Sequence, residues 1–194
     1  MRSFEIETLT LPCIREIYAR RMSADFPPDE IKPLGVIERA LARGEYVCYG
    51  ATAGGELLAY AFFAQVDEPG GMVSLFDYYA VRADLRGQGV GGRFLKALMA
   101  GPLRDMACVL LEVDDPDFAP TPAERAVCER RLRFYLSNGL RDTGVTAEVY
   151  GVAFRVLALP VGAMPDPAET RRVYAAVYRA MLAKEVFDSK VRIF

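Results

Sequence analysis

Four glycines fall within six residues, Gly87-Gln88-Gly89-Val90-Gly91-Gly92, between an apolar strand-like run and an apolar helical one. Glycine loses more conformational freedom on folding than any other residue, so the cluster is costly unless the backbone there takes unusual angles or must approach something closely. A strand that feeds such a loop and a helix that leaves it put unpaired backbone N–H groups, with their partial positive charge, at the helix start. The stretch reads as a cradle for phosphate, with Arg86 and Arg93 placed to add charge-assisted contacts. The plain alternative is a glycine-rich turn that holds nothing.

The surrounding pattern limits the architecture. Phe4–Leu9 alternates apolar and acidic residues, as a half-exposed strand does. Pro12 suits the first turn of a helix reaching about Met22. After the break at Pro27-Pro28, a second helix is expected from Asp29 or Glu30 to Arg43, stopped by Gly44. Tyr46–Ala53, Leu57–Val66 and Met72–Val81 read as strands, and their short Gly-rich links suit antiparallel neighbours. A loop over Arg82–Gly92 leads into a helix from Arg93 to Met99. Cys108–Val113 is nearly all apolar, as a buried strand is. The acidic, Pro-rich stretch to Pro122 is a loop. A charged helix follows over Ala123–Ser137 and ends at Asn138-Gly139. Strands are expected over Arg141–Tyr150 and Val152–Leu159. A last helix runs from Pro167 to about Ala183 behind Asp166 as N-cap. This order gives an α/β (α+β) fold: a mixed, mostly antiparallel sheet with helices on both faces. One domain over 1–160 and a helical extension over 161–194 packed on it are expected. The apolar stripe Val173, Tyr174, Val177, Tyr178, Met181 covers that core or makes a homodimer contact.

Composition narrows the chemistry. The 194 residues carry a net charge of -2 and no histidine. A nucleic-acid binder would show a basic excess. The cysteines Cys13, Cys48, Cys108 and Cys128 form no CxxC, so no metal site is expected and the thiols read as free in a reducing cytoplasm. Without histidine, Ser-His-Asp and Cys-His machinery is excluded. Proton transfer falls to carboxylates, Tyr, Cys, Lys or water. The opening MRSFEIETLT has no apolar core of a signal peptide, and no run approaches the roughly 18 apolar residues of a membrane span, so no membrane partner is expected.

Three phosphate motifs compete for the loop. Gly87 and Gly92 have Walker A spacing, but Arg93-Phe94 stands where Lys-Ser/Thr is needed. Gly87, Gly89 and Gly92 spell the dinucleotide GxGxxG, with Glu112 at a distance suited to a ribose. Against that NAD-dependent oxidoreductase reading, Arg82–Arg86 separate the strand from Gly87, and the loop follows hairpins rather than opening a βαβ series. The third pattern is Arg/Gln-x-x-Gly-x-Gly/Ala, met by Arg86, Gly89 and Gly91. On it the chain resembles the GNAT N-acetyltransferases. The resemblance extends through YYAVRADLRGQGVGGRFL, CVLLEV and RRLRFYLSNG, over about Tyr46 to Leu159. Segments at Asp25–Pro33 and Leu110–Pro116 are also similar to an obscure bacterial subgroup of that family.

The resemblance implies a sheet splayed between its fourth and fifth strands, with acetyl-CoA in the cleft and no metal. Tyr79, Ala80 and Val81 would pair with the pantetheine amides as an added strand does. Arg86, Gly87, Gln88, Gly89, Val90, Gly91 and Gly92 would hold the pyrophosphate. The chemistry implied is direct attack of an amine, from a small molecule or a peptide, on the thioester. Tyr135 matches the family tyrosine that protonates the leaving thiolate; packing is its plain alternative. Asn138 binds pantetheine or caps its helix. Glu112 is the candidate base, and burial would raise its pKa toward a useful range. Asp114 and Asp77 are candidates for holding the acceptor. Asp77 interrupts an apolar strand, which calls for a partner or a function. Arg130, Arg131 and Arg133 read as a solvated helix face or a contact for the 3′-phosphate. The aromatics Tyr46, Tyr49, Tyr60, Phe62 and Phe63 read as sheet core. A fold that binds CoA without turnover, as a sensor, is the alternative within the same family.

Overall fold

The structure, a computed structural model, describes residues 3–194 except for the side chain of Asp29. In chain order the elements are β1 (Glu5–Thr8), α1 (Leu11–Ile17), α2 (Ser23–Asp25), α3 (Leu34–Ala42), β2 (Tyr46–Ala53), β3 (Glu56–Glu68), β4 (Gly71–Val81), α4 (Val90–Ala100), β5 (Cys108–Asp114), α5 (Pro122–Ser137), β6 (Arg141–Val149), β7 (Val152–Ala158), α6 (Pro167–Met181), α7 (Lys184–Lys190) and β8 (Val191–Ile193). A π-helical segment, Tyr18–Met22, joins α1 to α2, so the first helical stretch runs three residues past Met22. Among the described residues no helix is long and apolar enough to cross a membrane.

The eight strands lie in the order β1-β2-β3-β4-β5-β7-β6-β8. β1–β2, β2–β3, β5–β7, β6–β7 and β6–β8 are antiparallel. β4 and β5 are parallel, from Val73 opposite Cys108 to Phe76 opposite Leu111. That ladder stops at Phe76 and Leu111, although β4 runs on to Val81 and β5 to Asp114. The mixed, mostly antiparallel sheet expected from the sequence is the one observed.

The chain divides into two compact units, Met1–Gln65 with Asp77–Phe94, and Val66–Phe76 with Leu95–Phe194. In the first, β3 is buried without a break from Leu58 to Ala64, as a strand covered on both faces must be. Its rings interlock: Tyr46 on Phe62 at 6.2 Å, Tyr49 on Phe63 at 5.8 Å and Phe62 on Tyr78 at 6.0 Å, all edge to face. The aromatic run is core, as its pattern indicates. In the second unit, Val109, Leu110 and Leu111 of β5 are buried with Val156 and Leu157 of β7 and with Val173, Tyr174 and Val177 of α6. Of the α6 stripe, Val173, Tyr174, Val177 and Tyr178 are buried and Met181 is half-buried. Asp166 caps α6, its carboxylate accepting from the Glu169 N–H at 2.8 Å.

Two helix starts differ from expectation. Asp29 and Glu30 do not begin a helix: Pro28–Glu30 is a single 3₁₀ turn, Ile31 is extended, and α3 begins at Leu34. Pro33 has no N–H and pushes Lys32 out of the helical region, so the helix can form only after it. α4 begins at Val90 rather than Arg93. The residues after Ala183, not assigned from the sequence, form α7 and the edge strand β8, paired to β6 from Ala147–Ile193 to Val149–Val191.

Candidate functional site

The glycine loop owes its shape to backbone freedom and to a few side chains that clamp it. Gly87 and Gly89 sit at φ +74° and +75°, where only glycine is unstrained, and the space a Cβ would fill at either is open to 4 Å. A single 3₁₀ turn, Ala83–Leu85, carries the chain from β4 into the loop. The Arg93 N–H donates to the Gly89 carbonyl at 3.2 Å, the first bond of α4. The N–H groups of Val90, Gly91 and Gly92 stand ahead of that bond, as the first turn of a helix leaves them. The earlier helix start thus moves Gly91 and Gly92 from the loop into the turn whose N–H groups carry the positive end of the helix dipole.

Side chains brace this arrangement. The Tyr79 phenol donates to the Gly91 carbonyl at 2.6 Å, and its ring stacks on Phe94 at 5.6 Å. Gln88 donates to the Asp84 carbonyl at 2.6 Å. Arg86 donates through Nε to the Val81 carbonyl at 3.0 Å and through Nη2 to Asp25 at 2.6 Å. Arg93 lies over the Phe4 ring at 5.3 Å. An oxyanion fits this cradle: open glycines, first-turn N–H groups and one half-exposed guanidinium. Ala80 is buried and Val81 ends β4.

Asp77 has partners, which accounts for a carboxylate in an apolar strand. Its two oxygens take the Lys32 ammonium and the Tyr46 phenol. Tyr78, next along β4, accepts from the Lys32 backbone N–H and donates to the Glu30 carbonyl, each at 2.8 Å. Phe26 meets the Tyr78 ring edge to face at 5.0 Å. The Asp25–Pro33 segment is therefore fastened to β4. Burial, and then the charge of Asp77, push the Tyr46 phenol well above its ordinary range and the Tyr78 phenol up to about 12. At the start of that segment the Asp25 carboxylate, largely covered, takes the Tyr60 phenol at 2.9 Å besides Arg86.

In the second unit, Glu112 accepts from the phenols of Tyr174 and Tyr178, the latter at 2.5 Å. Burial foremost, and then the Glu112 charge, push the Tyr174 phenol well above its ordinary range. Asp114 pairs with Arg131 of α5 at 2.6 Å. Arg155 of β7 ties Asp115 at 3.0 Å and Asp117 at 2.8 Å. Tyr135 is buried on α5, and burial pushes its phenol up to about 12. Asn138 caps α5: its amide donates to the Phe134 carbonyl at 2.8 Å, and Gly139 follows at φ +100°.

Sequence reasoning missed Asp25, Lys32, Tyr46, Tyr60, Tyr174 and Tyr178 as neighbours of the candidate residues. For Asp77 a signal existed, since a carboxylate within an apolar strand requires a cation or donor. For the others none did, because their partners lie far away in sequence.

The acetyltransferase (GNAT) family model matches residues 11–119. No curated protein matches the sequence. Among solved structures, a GNAT-family protein of Bacteroides thetaiotaomicron aligns with TM-score 0.65 at 16% identity, over 91% of this chain and 95% of its own. The ribosomal-protein-S18-alanine N-acetyltransferase of Escherichia coli aligns with TM-score 0.57 at 19% identity, over 84% and 96%. A GNAT family acetyltransferase of Elizabethkingia anophelis with acetyl-CoA bound aligns with TM-score 0.56 at 15% identity, over 82% and 99%. At such identities these likenesses speak for the fold. The antiparallel pairing of β1–β2, β2–β3, β5–β7, β6–β7 and β6–β8 among the described residues sets aside the dinucleotide reading of the loop, which needs a parallel series. Because the family model spans more than half of the sequence, from the start of α1 past the glycine loop and β5, this chain belongs to the GNAT acetyltransferase family.

Proposed function

We propose that this protein is an N-acetyltransferase that moves the acetyl group of acetyl-CoA to the amine of a small-molecule or peptide acceptor. The observation that carries the reading is the glycine loop, whose open, left-handed Gly87 and Gly89 lead into the first turn of α4. Acetyl-CoA supplies the activated acyl group. Its diphosphate would be held by the loop from Arg86 to Gly92, and its pantetheine amides by the backbone of Tyr79, Ala80 and Val81.

The chain's own groups then have three tasks. Tyr135 serves as the acid. Its phenol, pushed up to about 12 by burial, stays protonated at neutral pH, the state needed to hand a proton to a thiolate. Glu112 is the candidate for drawing the proton from the acceptor ammonium. Its bonds to Tyr174 and Tyr178 make a relay through one of those phenols the route this role requires. Asp114 and Asp77 are the candidates for holding a cationic acceptor, each by exchanging its present cation, Arg131 or Lys32, for the substrate's. Support for an amine acceptor comes from the family and from the E. coli neighbour, named for an alanine of a ribosomal protein.

The test is titration calorimetry with acetyl-CoA, followed by thiol release across a panel of amines. Tyr135→Phe should lower kcat by about 10²-fold or more while CoA affinity holds within about threefold, as loss of a general acid does. Absence of CoA binding in the wild type would overturn the proposal. Binding without thiol release for any amine would leave the sensor reading in its place.

A further inference from the structure

Asp25 belongs to a segment that the glycine loop's motif does not include, yet its carboxylate, 6% exposed, is bonded to the first residue of that motif. One oxygen accepts from Arg86 Nη2 at 2.6 Å. The other accepts from the Tyr60 phenol at 2.9 Å, and Arg21 lies 3.8 Å from it. Arg21 is itself fixed, over the Tyr60 ring at 5.3 Å and on the Leu57 carbonyl at 3.2 Å. A buried carboxylate with this many donors has one orientation open to it, because any other leaves a charge or a phenol unsatisfied.

Arg86 is the next link. Its Nε reaches back across the 3₁₀ turn to the Val81 carbonyl at 3.0 Å, so the guanidinium joins the end of β4, the loop and Asp25. Gly87 follows Arg86 directly, and Gly89 stands two residues beyond it, both in the left-handed region with open space around them. Such glycines have no side chain to fix their angles and would sample many states on their own. The rigid neighbour that fixes where the loop begins is Arg86.

We infer that Asp25 is a positioning residue for the cofactor loop: through Arg86 it holds the loop in its anion-binding shape. This inference rests on the reading of the loop as the acetyl-CoA site. It also gives the Asp25–Pro33 segment a role at both its ends, Asp25 on the loop and Lys32 on β4.

The experiment is a double-mutant cycle on CoA affinity, read by titration calorimetry. Asp25→Asn keeps the shape and removes the charge. Arg86→Gln keeps a residue that the motif accepts but cannot make the charged pair. Asp25→Asn should weaken CoA binding about tenfold in the wild-type background and less than twofold in Arg86→Gln, the non-additivity expected of residues acting through one contact. The same loss in both backgrounds, or no loss in the wild type, overturns the inference. Should Asp25→Asn fail to fold, Tyr60→Phe takes its place: it keeps the buried ring and removes one donor from Asp25. Its CoA affinity should fall only where Arg86 is present. A wild type that binds no CoA at all is a different result, since there the reading of the loop itself falls.

Discussion

Replacing Gly89 by alanine separates what the loop costs in stability from what it does. At φ +75° a Cβ meets no atom within 4 Å, so no clash contributes. The penalty is conformational, roughly 1–2 kcal/mol for an L-residue in the left-handed region. Restricting the unfolded chain returns about 0.4–1 kcal/mol, so the net loss is about 1 kcal/mol. For a chain of this length that lowers the melting temperature by about 2–4 °C. Gly54, in the turn between β2 and β3, is the matched control, at φ +59° with equally open surroundings. Gly54→Ala should melt about as Gly89→Ala does, within about 2 °C. The two should part on cofactor. The methyl at Gly89 occupies the space a diphosphate would take, so CoA affinity should fall at least about tenfold, or 1.4 kcal/mol. Affinity in Gly54→Ala should match the wild type. Melting curves and CoA titrations on the three proteins provide the assay. Equal affinity in both variants would refute the cradle, and a melting loss several times larger at Gly89 would refute the conformational account.

Lys32→Met leaves Asp77, 11% exposed, with the Tyr46 phenol and no ammonium; it should cost about 2 kcal/mol in urea unfolding, below the range for a fully buried pair because Lys32 is 32% exposed. A cost near zero would mean that the pair is not formed. Tyr174→Phe and Tyr178→Phe should each cost about 1 kcal/mol, and the double variant more than the sum, since it strips Glu112 of both phenols; strict additivity in chemical unfolding would speak against a shared carboxylate. Alkaline pH should destabilise the protein. Tyr78 and Tyr135 are raised to about 12, so their contribution is whole below the ordinary tyrosine value near 10 and is lost as pH rises from there through 12. Cys108, raised to about 11, begins that loss from about 9. Unfolding midpoints should therefore fall from pH 9 upward, and a flat profile to pH 11 would contradict the burial of these groups.

The parts of the fold legible in the sequence are those with short-range causes. The expected strands Tyr46–Ala53, Leu57–Val66 and Met72–Val81 lie within two residues of β2, β3 and β4, because glycines and Pro69 punctuate apolar runs there. The N-cap at Asp166 and the stop at Gly44 likewise depend on neighbours a few residues away. Pro33 was equally local, but the acidic pair before it resembles a helix start, and the misreading placed α3 too early. β8 was illegible: three residues form a strand only because β6 offers an edge. At the candidate site the loop could be read because its requirement is glycine itself. The company of Asp77 and Glu112 could not, since Lys32 lies 45 residues and Tyr174 62 residues away. Pattern rules of period two or 3.6 carry no information about which distant element will be the neighbour.

The division of the chain has a consequence for anyone who would dissect it. The first unit is left at Gln65 and re-entered at Asp77, partway along β4, and is left again partway along α4. No single cut frees either unit. Cleavage in the Pro69-Gly70 turn yields two fragments that each carry pieces of both, the longer with the glycine loop and the shorter with Asp25. The protein is thus suited to split-fragment complementation rather than to domain excision: fragments separated at that turn recover the Asp25–Arg86 bond only by reassociating.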